Sequence, residues 1–156
     1  MKRTIILSVF TLLVFGSCQR NSTVELRLNH AEELMSEHPD SAWHILESID
    51  RKALDSRRIR ARHALLSSQA LDKNYIDVNN DSLIRIAIDY YANHGSYEDR
   101  AKAYYYHAIV QGNASNTEAA IKALVIAEEY AKKTRDTLLN GLIFGSSDIS
   151  SDATVM

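Results

Sequence analysis

The 156-residue chain has one cysteine, one proline, one tryptophan and five glycines. A single cysteine cannot close an intramolecular disulfide, so no covalent staple holds the fold. With so few helix breakers, the abundant Ala, Leu, Ile and Tyr point to a mostly helical domain. The one sustained apolar run, Ile5 to Phe15, is about a dozen residues, short of the roughly 20 that span a bilayer. Charge of neither sign dominates: 18 Lys and Arg stand against 20 Asp and Glu, which argues against nucleic acid as a partner. No HExxH, Gly-rich phosphate loop or nucleophile-elbow serine occurs. None of the six histidines (His30, His38, His44, His63, His94 and His107) lies three or four residues from another. Neither a metal, nor a cofactor, nor a catalytic centre is expected.

What is present at the N-terminus is an address. Lys2 and Arg3 precede the apolar run, and Gly16 and Ser17 come after it, which is the pattern of a cleaved signal peptide over residues 1–17. Val14-Phe15-Gly16-Ser17-Cys18 resembles a bacterial lipobox, in which small residues precede an acylated cysteine. That resemblance implies that Cys18 becomes the first mature residue and carries lipid, each buried methylene contributing about 0.8 kcal/mol to anchoring. Gln19 stands where an aspartate would mark inner-membrane retention, so the resemblance favours the outer membrane, with the inner membrane as the alternative. Residues 18–23 then form a lipidated tether, with the domain facing the periplasm.

Residues 24–136 carry helical periodicity. Val24, Leu28, Ala31, Leu34 and Met35 give a first helix over 24–37, broken by His38-Pro39. Asp40 is expected to cap a second helix bearing Ala42, Leu46 and Ile49, with Trp43 at its edge. A third, from Asp55 to Lys73, holds Ile59, Ala61, Leu65 and Ala70. After a loop over 75–80, Asp81 is expected to cap a fourth helix with Ile84, Ala87, Ile88 and Tyr91, stopped by Gly95. Ser96 and Asp99 have capping-box spacing at the start of a fifth helix running to about Gln111. Asn116 is expected to cap a sixth, with Ala120, Leu124, Ala127 and Tyr130 on its apolar side.

The second helix of each pair begins at Asp40-Ser41, Asp81-Ser82 and Asn116-Thr117, intervals of 41 and 35 residues. Helix hairpins recurring at such intervals signal a solenoid. In the unit from Tyr104 to Ala131, Ala108, Ala120, Leu124 and Ala127 have the small–small–large–small spacing that lets two helices cross closely. On these residues the chain resembles the tetratricopeptide repeat (TPR) family over about Val24 to Asp136. The resemblance implies an all-α right-handed solenoid of antiparallel helix hairpins. Asp-Ser-Leu-Ile, Asp-Tyr-Tyr and Ala-Tyr-Tyr-Tyr also resemble repeat lipoproteins of gut-type anaerobic bacteria.

Residues 137–156 depart from the pattern. Asp136 can cap a helix with Leu138, Leu139, Leu142 and Ile143, but Gly145-Ser146-Ser147 is expected to break it, leaving an incomplete helix and a disordered tail. A solenoid end normally has a polar capping helix, so the expectation is a truncated member of a longer family.

Two groups stand out as candidate partner contacts. Six of the eight tyrosines lie between Tyr90 and Tyr106. Tyrosine combines a rigid apolar face with a hydrogen-bonding tip, and three consecutive ones cannot all face a core. At least one of Tyr104, Tyr105 and Tyr106 is expected on a concave binding surface. Arg58 and Arg62 belong to a basic run that also holds Arg57 and Arg60, suited to a solvated face or to docking of carboxylates. The resulting expectation is a non-catalytic, membrane-tethered scaffold for a protein or extended peptide in the periplasm. The alternatives are a glycan-capture accessory lipoprotein, or the sensor fragment of a longer repeat-containing signalling protein.

Overall fold

The computed structural model describes residues 23–153, with side chains through residue 146. The leader and Cys18 lie outside the described residues. Those described are all helical: α1 (23–34), α2 (Pro39–Glu47), a 3-10 turn (Arg51–Ala53), α3 (Arg57–Lys73), α4 (Ser82–Tyr91), α5 (Tyr97–Asn113), α6 (Thr117–Ala131) and α7 (Thr137–Ala153). Each helix from α2 onward packs on the next, α3 also touches α5, and α5 touches α7.

Two apolar clusters organise the stack, and α3 belongs to both. Its Ile59, Leu66 and Ala70 join Val24, Leu28 and Ala31 of α1 and Ala42 and Leu46 of α2. Its Ala61, Ala64 and Leu65 face α4 and α5 instead. This helix thus buries two faces and joins the two clusters. Leu124 and Ala127 of α6 are buried beside Ala108 of α5 as their spacing predicts, whereas Ala120 is only half-buried.

Helix starts obey local chemistry, with corrections. Ser96 and Asp99 form the full capping box. Asp136 Oδ1 accepts from the Leu138 and Leu139 amides at 3.0 Å each. Asp40, however, lies inside the first turn of α2; His38 takes the cap position and Pro39 the first helical one. Proline fits there because its fixed φ is already helical and its missing N–H would be an orphan. Asp81 and Asn116 occupy cap positions without capping: the Asp81 carboxylate accepts from Arg85, and the Asn116 amide donates to Gln111 Oε1. Ser56, rather than Asp55, starts α3, accepting from the Ile59 amide.

The expected break at Gly145-Ser146-Ser147 does not occur, because α7 continues to Ala153. Glycine inside a helix costs only about 1 kcal/mol relative to alanine. Ser146 donates its hydroxyl to the Leu142 carbonyl within the helix. Leu139 and Ile143 are buried in the α5–α6 cluster and hold this segment down, while Leu138 stays 86 % exposed.

Both α3 and α5 end in the same way. The Ile76 amide donates to Leu71 O and the Tyr75 amide to Asp72 O; Asn116 donates to Gln111 O and Ser115 to Gly112 O. These are two Schellman motifs, each with a non-glycine residue in the left-handed region, Tyr75 at φ 57° and Ser115 at φ 59°. The connections beyond them differ in length. Asn116 leads directly into α6, whereas residues 76–81 intervene before α4.

Candidate functional site

Successive residues of a helix diverge by about 100°, so the three consecutive tyrosines of α5 go to three different places. Tyr104 is half-buried at the surface and stacks on Tyr130 of α6, with centroids 6.0 Å apart and planes 24° apart. Tyr105 is buried toward α7, with the Ser146 hydroxyl within hydrogen-bonding reach. Tyr106 is buried on the wall of a cavity bordered by α3 and α4. Burial pushes the phenol pKa up at all three positions, so each stays a neutral hydroxyl. Tyr105 is thus a packing residue, and the other two mark separate sites.

The first site is an aromatic row on the outside of α5 and α6. Tyr97 stacks on Tyr130 at 6.3 Å and 23°, continuing the Tyr130–Tyr104 stack. Arg100 lies 5.7 Å from the Tyr97 centroid and 5.6 Å from that of Tyr130; Lys133 lies 5.4 Å from both. The quadrupoles of the rings hold these cations over their faces, at roughly 0.5–1 kcal/mol each where exposed. Tyr97 is 47 % exposed. The row therefore combines flat apolar faces, phenol tips and two positive charges. Tyr97 and Tyr104 belong to the tyrosine group that stands out in sequence, and Tyr130 to the apolar side of α6; Arg100 and Lys133 join them only when α5 and α6 pack antiparallel.

The second site is a cavity of about 310 Å³ beneath the 74–81 connection. Leu71, Ile84, Tyr106 and Val110 form its apolar walls, and Ile76 and Val78 cover it from the connection. Its polar lining comes from Ser68, Asp72, Asp77, Asn80 and Asn113, with no lysine or arginine. Two amides secure the cover. Asn113 Nδ2 donates to Val78 O at 3.3 Å, and Asn74 Nδ2 donates to Pro39 O at 2.8 Å and Ala70 O at 2.7 Å. Burial raises the Asp72 carboxyl above its usual range, with Lys73 opposing and the nearby Asp77 adding to the rise. Tyr75 stands at the rim, 94 % exposed. The sequence signal for this site was the length of the connection before Asp81, which breaks the regularity of the hairpins.

The arginines separate by helix face. Arg58 pairs with Glu25, and Arg62 pairs with both Glu25 and Glu32, so these two tie α3 to α1. Arg60 donates to the Leu54 and Asp55 carbonyls at 3.0 and 3.2 Å. The basic run is therefore not one docking face. Arg58 and Arg62 hold internal partners, and any external carboxylate would have to displace them.

Among the described residues, no group of three or more histidine, cysteine or acidic side chains is placed to hold a metal. Burial lowers the pKa of both His63 and His107. His63 Nε2 lies 3.1 Å from Leu46 O, and His107 sits beside Asp81 and Gln111. No described helix is long and apolar enough to cross a membrane. No protein-family model matches the chain, and neither a curated protein nor a solved structure is significantly similar to it.

Proposed function

We propose that the chain is a lipid-tethered, TPR-like scaffold that holds a protein or an extended peptide on the periplasmic side of the outer membrane. The single observation that carries the binding reading is the row of Tyr97, Tyr130 and Tyr104 with Arg100 and Lys133. Rigid aromatic faces give contact area at little conformational cost, and adjacent cations add hydrogen bonds to carbonyls or carboxylates. A row of this kind suits an extended chain that lies along it, and no catalytic group is required. The solenoid reading is supported by the double burial of α3 and by the shared endings of α3 and α5. The tether reading rests on the leader and Cys18 alone.

Selection of displayed peptides on the full-length protein in detergent tests the binding reading. Enriched peptides should bind wild type and lose at least about tenfold in affinity, near 1.4 kcal/mol, to a Tyr97→Ala, Arg100→Ala variant. Equal binding to that variant, or no enrichment, would remove it; saturable sugar binding at the same tyrosines would replace it with glycan capture. For the tether, wild type should gain acyl mass and enter the membrane fraction, and Cys18→Ser should do neither.

A further inference from the structure

We propose that the cavity under the 74–81 connection is a binding site for a small apolar amine, with Asp72 as its counter-ion and the rings of Tyr75 and Tyr106 beside it. The proposal is independent of the aromatic row and of the tether, which lie elsewhere in the chain.

Three observations set the class of ligand. The volume of about 310 Å³ is at the small end of natural ligand pockets, roughly 300–1,000 Å³. That suits one ring or a branched alkyl group with a short chain, not a long peptide. Aliphatic side chains make up half of the lining, so an apolar ligand body finds its contacts there. The only charged groups in the lining are Asp72 and Asp77, both acidic.

Asp72 decides between the remaining choices. It is half-buried, and among the described residues burial and the charges of Lys73 and Asp77 act on its carboxyl, with no hydrogen bond to it. Lys73, next in the chain, acts on it by charge alone, without a bonded ion pair. A carboxylate partly withdrawn from water and without a bonded partner is held less well than a fully solvated one. An anionic ligand would add repulsion, and a neutral one would leave Asp72 unmet while displacing its water. A cation would supply the missing bonded partner, with the aromatic side chains of Tyr75 and Tyr106 in the same lining. Ligand chemistry that is apolar and cationic is thus the one that every wall group accepts.

The length of the connection sets α3 and α4 apart from α5 and α6. The connection from α5 to α6 is three residues (114–116), too short to roof a space, whereas the connection from α3 to α4 is eight (74–81). The extra chain covers the gap and supplies Ile76, Asp77 and Val78 to its lining.

Three probes of one shape test this on the full-length protein: 2-phenylethylamine, 2-phenylethanol and 3-phenylpropionate. Binding is read by chemical-shift changes and calorimetry. The amine should saturate, shifting signals of Ile84 and Tyr106, with the alcohol at least about tenfold weaker and the acid silent. Asp72→Asn should abolish the preference for amine over alcohol. Val78→Trp, at a half-buried loop position, should fill the space and remove binding of both. Circular dichroism confirms that each variant is folded; should Asp72→Asn fail to fold, the ligand series and Val78→Trp still decide. The idea is overturned by a silent amine, by acid or alcohol binding as tightly as amine, or by undiminished amine binding to Val78→Trp.

Discussion

Tyr75 and Ser115 hold the same place in two successive helix pairs, 40 residues apart. Each is the left-handed residue after its helix, at φ 57° and 59°. Neither is a glycine, so each carries backbone strain of about 1–2 kcal/mol. At Tyr75 the side chain recovers none of it through packing, because the ring is 94 % exposed. Tyr75→Gly and Ser115→Gly should therefore each stabilise the fold by about 0.5–1 kcal/mol, the rest being offset by the greater freedom of glycine in the unfolded chain. Urea unfolding measures both. A loss of stability at Tyr75→Gly would show that the ring contributes contacts of its own. If the cavity binds amines, Tyr75→Gly should also weaken them.

Gly95 behaves in the opposite way. It takes φ +77° in the turn between α4 and α5, and a Cβ there would lie 2.7 Å from Tyr91 Cδ1 and 2.9 Å from Asp99 Oδ2. Tyr91 is buried, and Asp99 completes the capping box of α5. Gly95→Ala thus combines strain with a clash at two structural groups. It should destabilise the protein by about 2 kcal/mol or more. A melting temperature equal to wild type would contradict this geometry.

Stability should fall on mild acidification. Burial is the largest cause of the lowered pKa at both His63 and His107. The folded state therefore binds the histidine proton less readily than the unfolded state does. The contribution is fully present above the ordinary histidine value of 6.5 and is lost as pH falls through the lower folded value. His63→Gln keeps a donor for Leu46 O and cannot titrate, so its unfolding free energy should depend less steeply on pH below 6.5. An unchanged slope would place the titration elsewhere.

Arg62 bridges Glu25 and Glu32, and Arg58 shares Glu25. These pairs are partly exposed, so their combined value is about 1 kcal/mol and falls with salt. Arg62→Gln should destabilise the fold modestly at low ionic strength, and the difference from wild type should shrink at about 1 M salt, where the Debye length is near 3 Å. Hydrogen exchange in α1 should rise in the same variant, since Arg62 joins α1 to α3. A difference that persists at high salt would instead indicate lost packing of the arginine stem.

Much of the helical order was legible in the residues themselves. Apolar spacing pointed to each of the described helices, because a 3.6-residue period is a property of the chain and needs no partner to be read, although the first ends at 34 rather than 37 and the last runs past its expected break. Val24, Leu28, Ala31, Ile59, Ala61, Leu65, Ile84, Ala87, Leu124 and Ala127 are all buried as that spacing requires. The Ser96–Asp99 box closes locally, within four residues, and forms as its spacing predicts. Where a second element competes, local reading failed. Asp81 and Asn116 have partners outside their own caps, and Gly145 does not end α7, because docking of Leu139 and Ile143 offsets the weak propensity of glycine.

The sites depended on tertiary structure almost entirely. Period and composition determined that this is a helical chain with no catalytic or metal motif among its residues. They also determined that Tyr104, Tyr105 and Tyr106 must diverge, since 100° per residue permits nothing else. Only packing decided where each one went: to a stacked row, to the α7 contact and to the cavity wall. Arg58 and Arg62 look free in sequence and are engaged in space, because their partners Glu25 and Glu32 lie some 30 residues away along the chain. Beyond the length of one connection, nothing in the sequence marks the cavity. It arises from an eight-residue connection lying over side chains of α3, α4 and α5, a coincidence in space of groups that the chain keeps far apart.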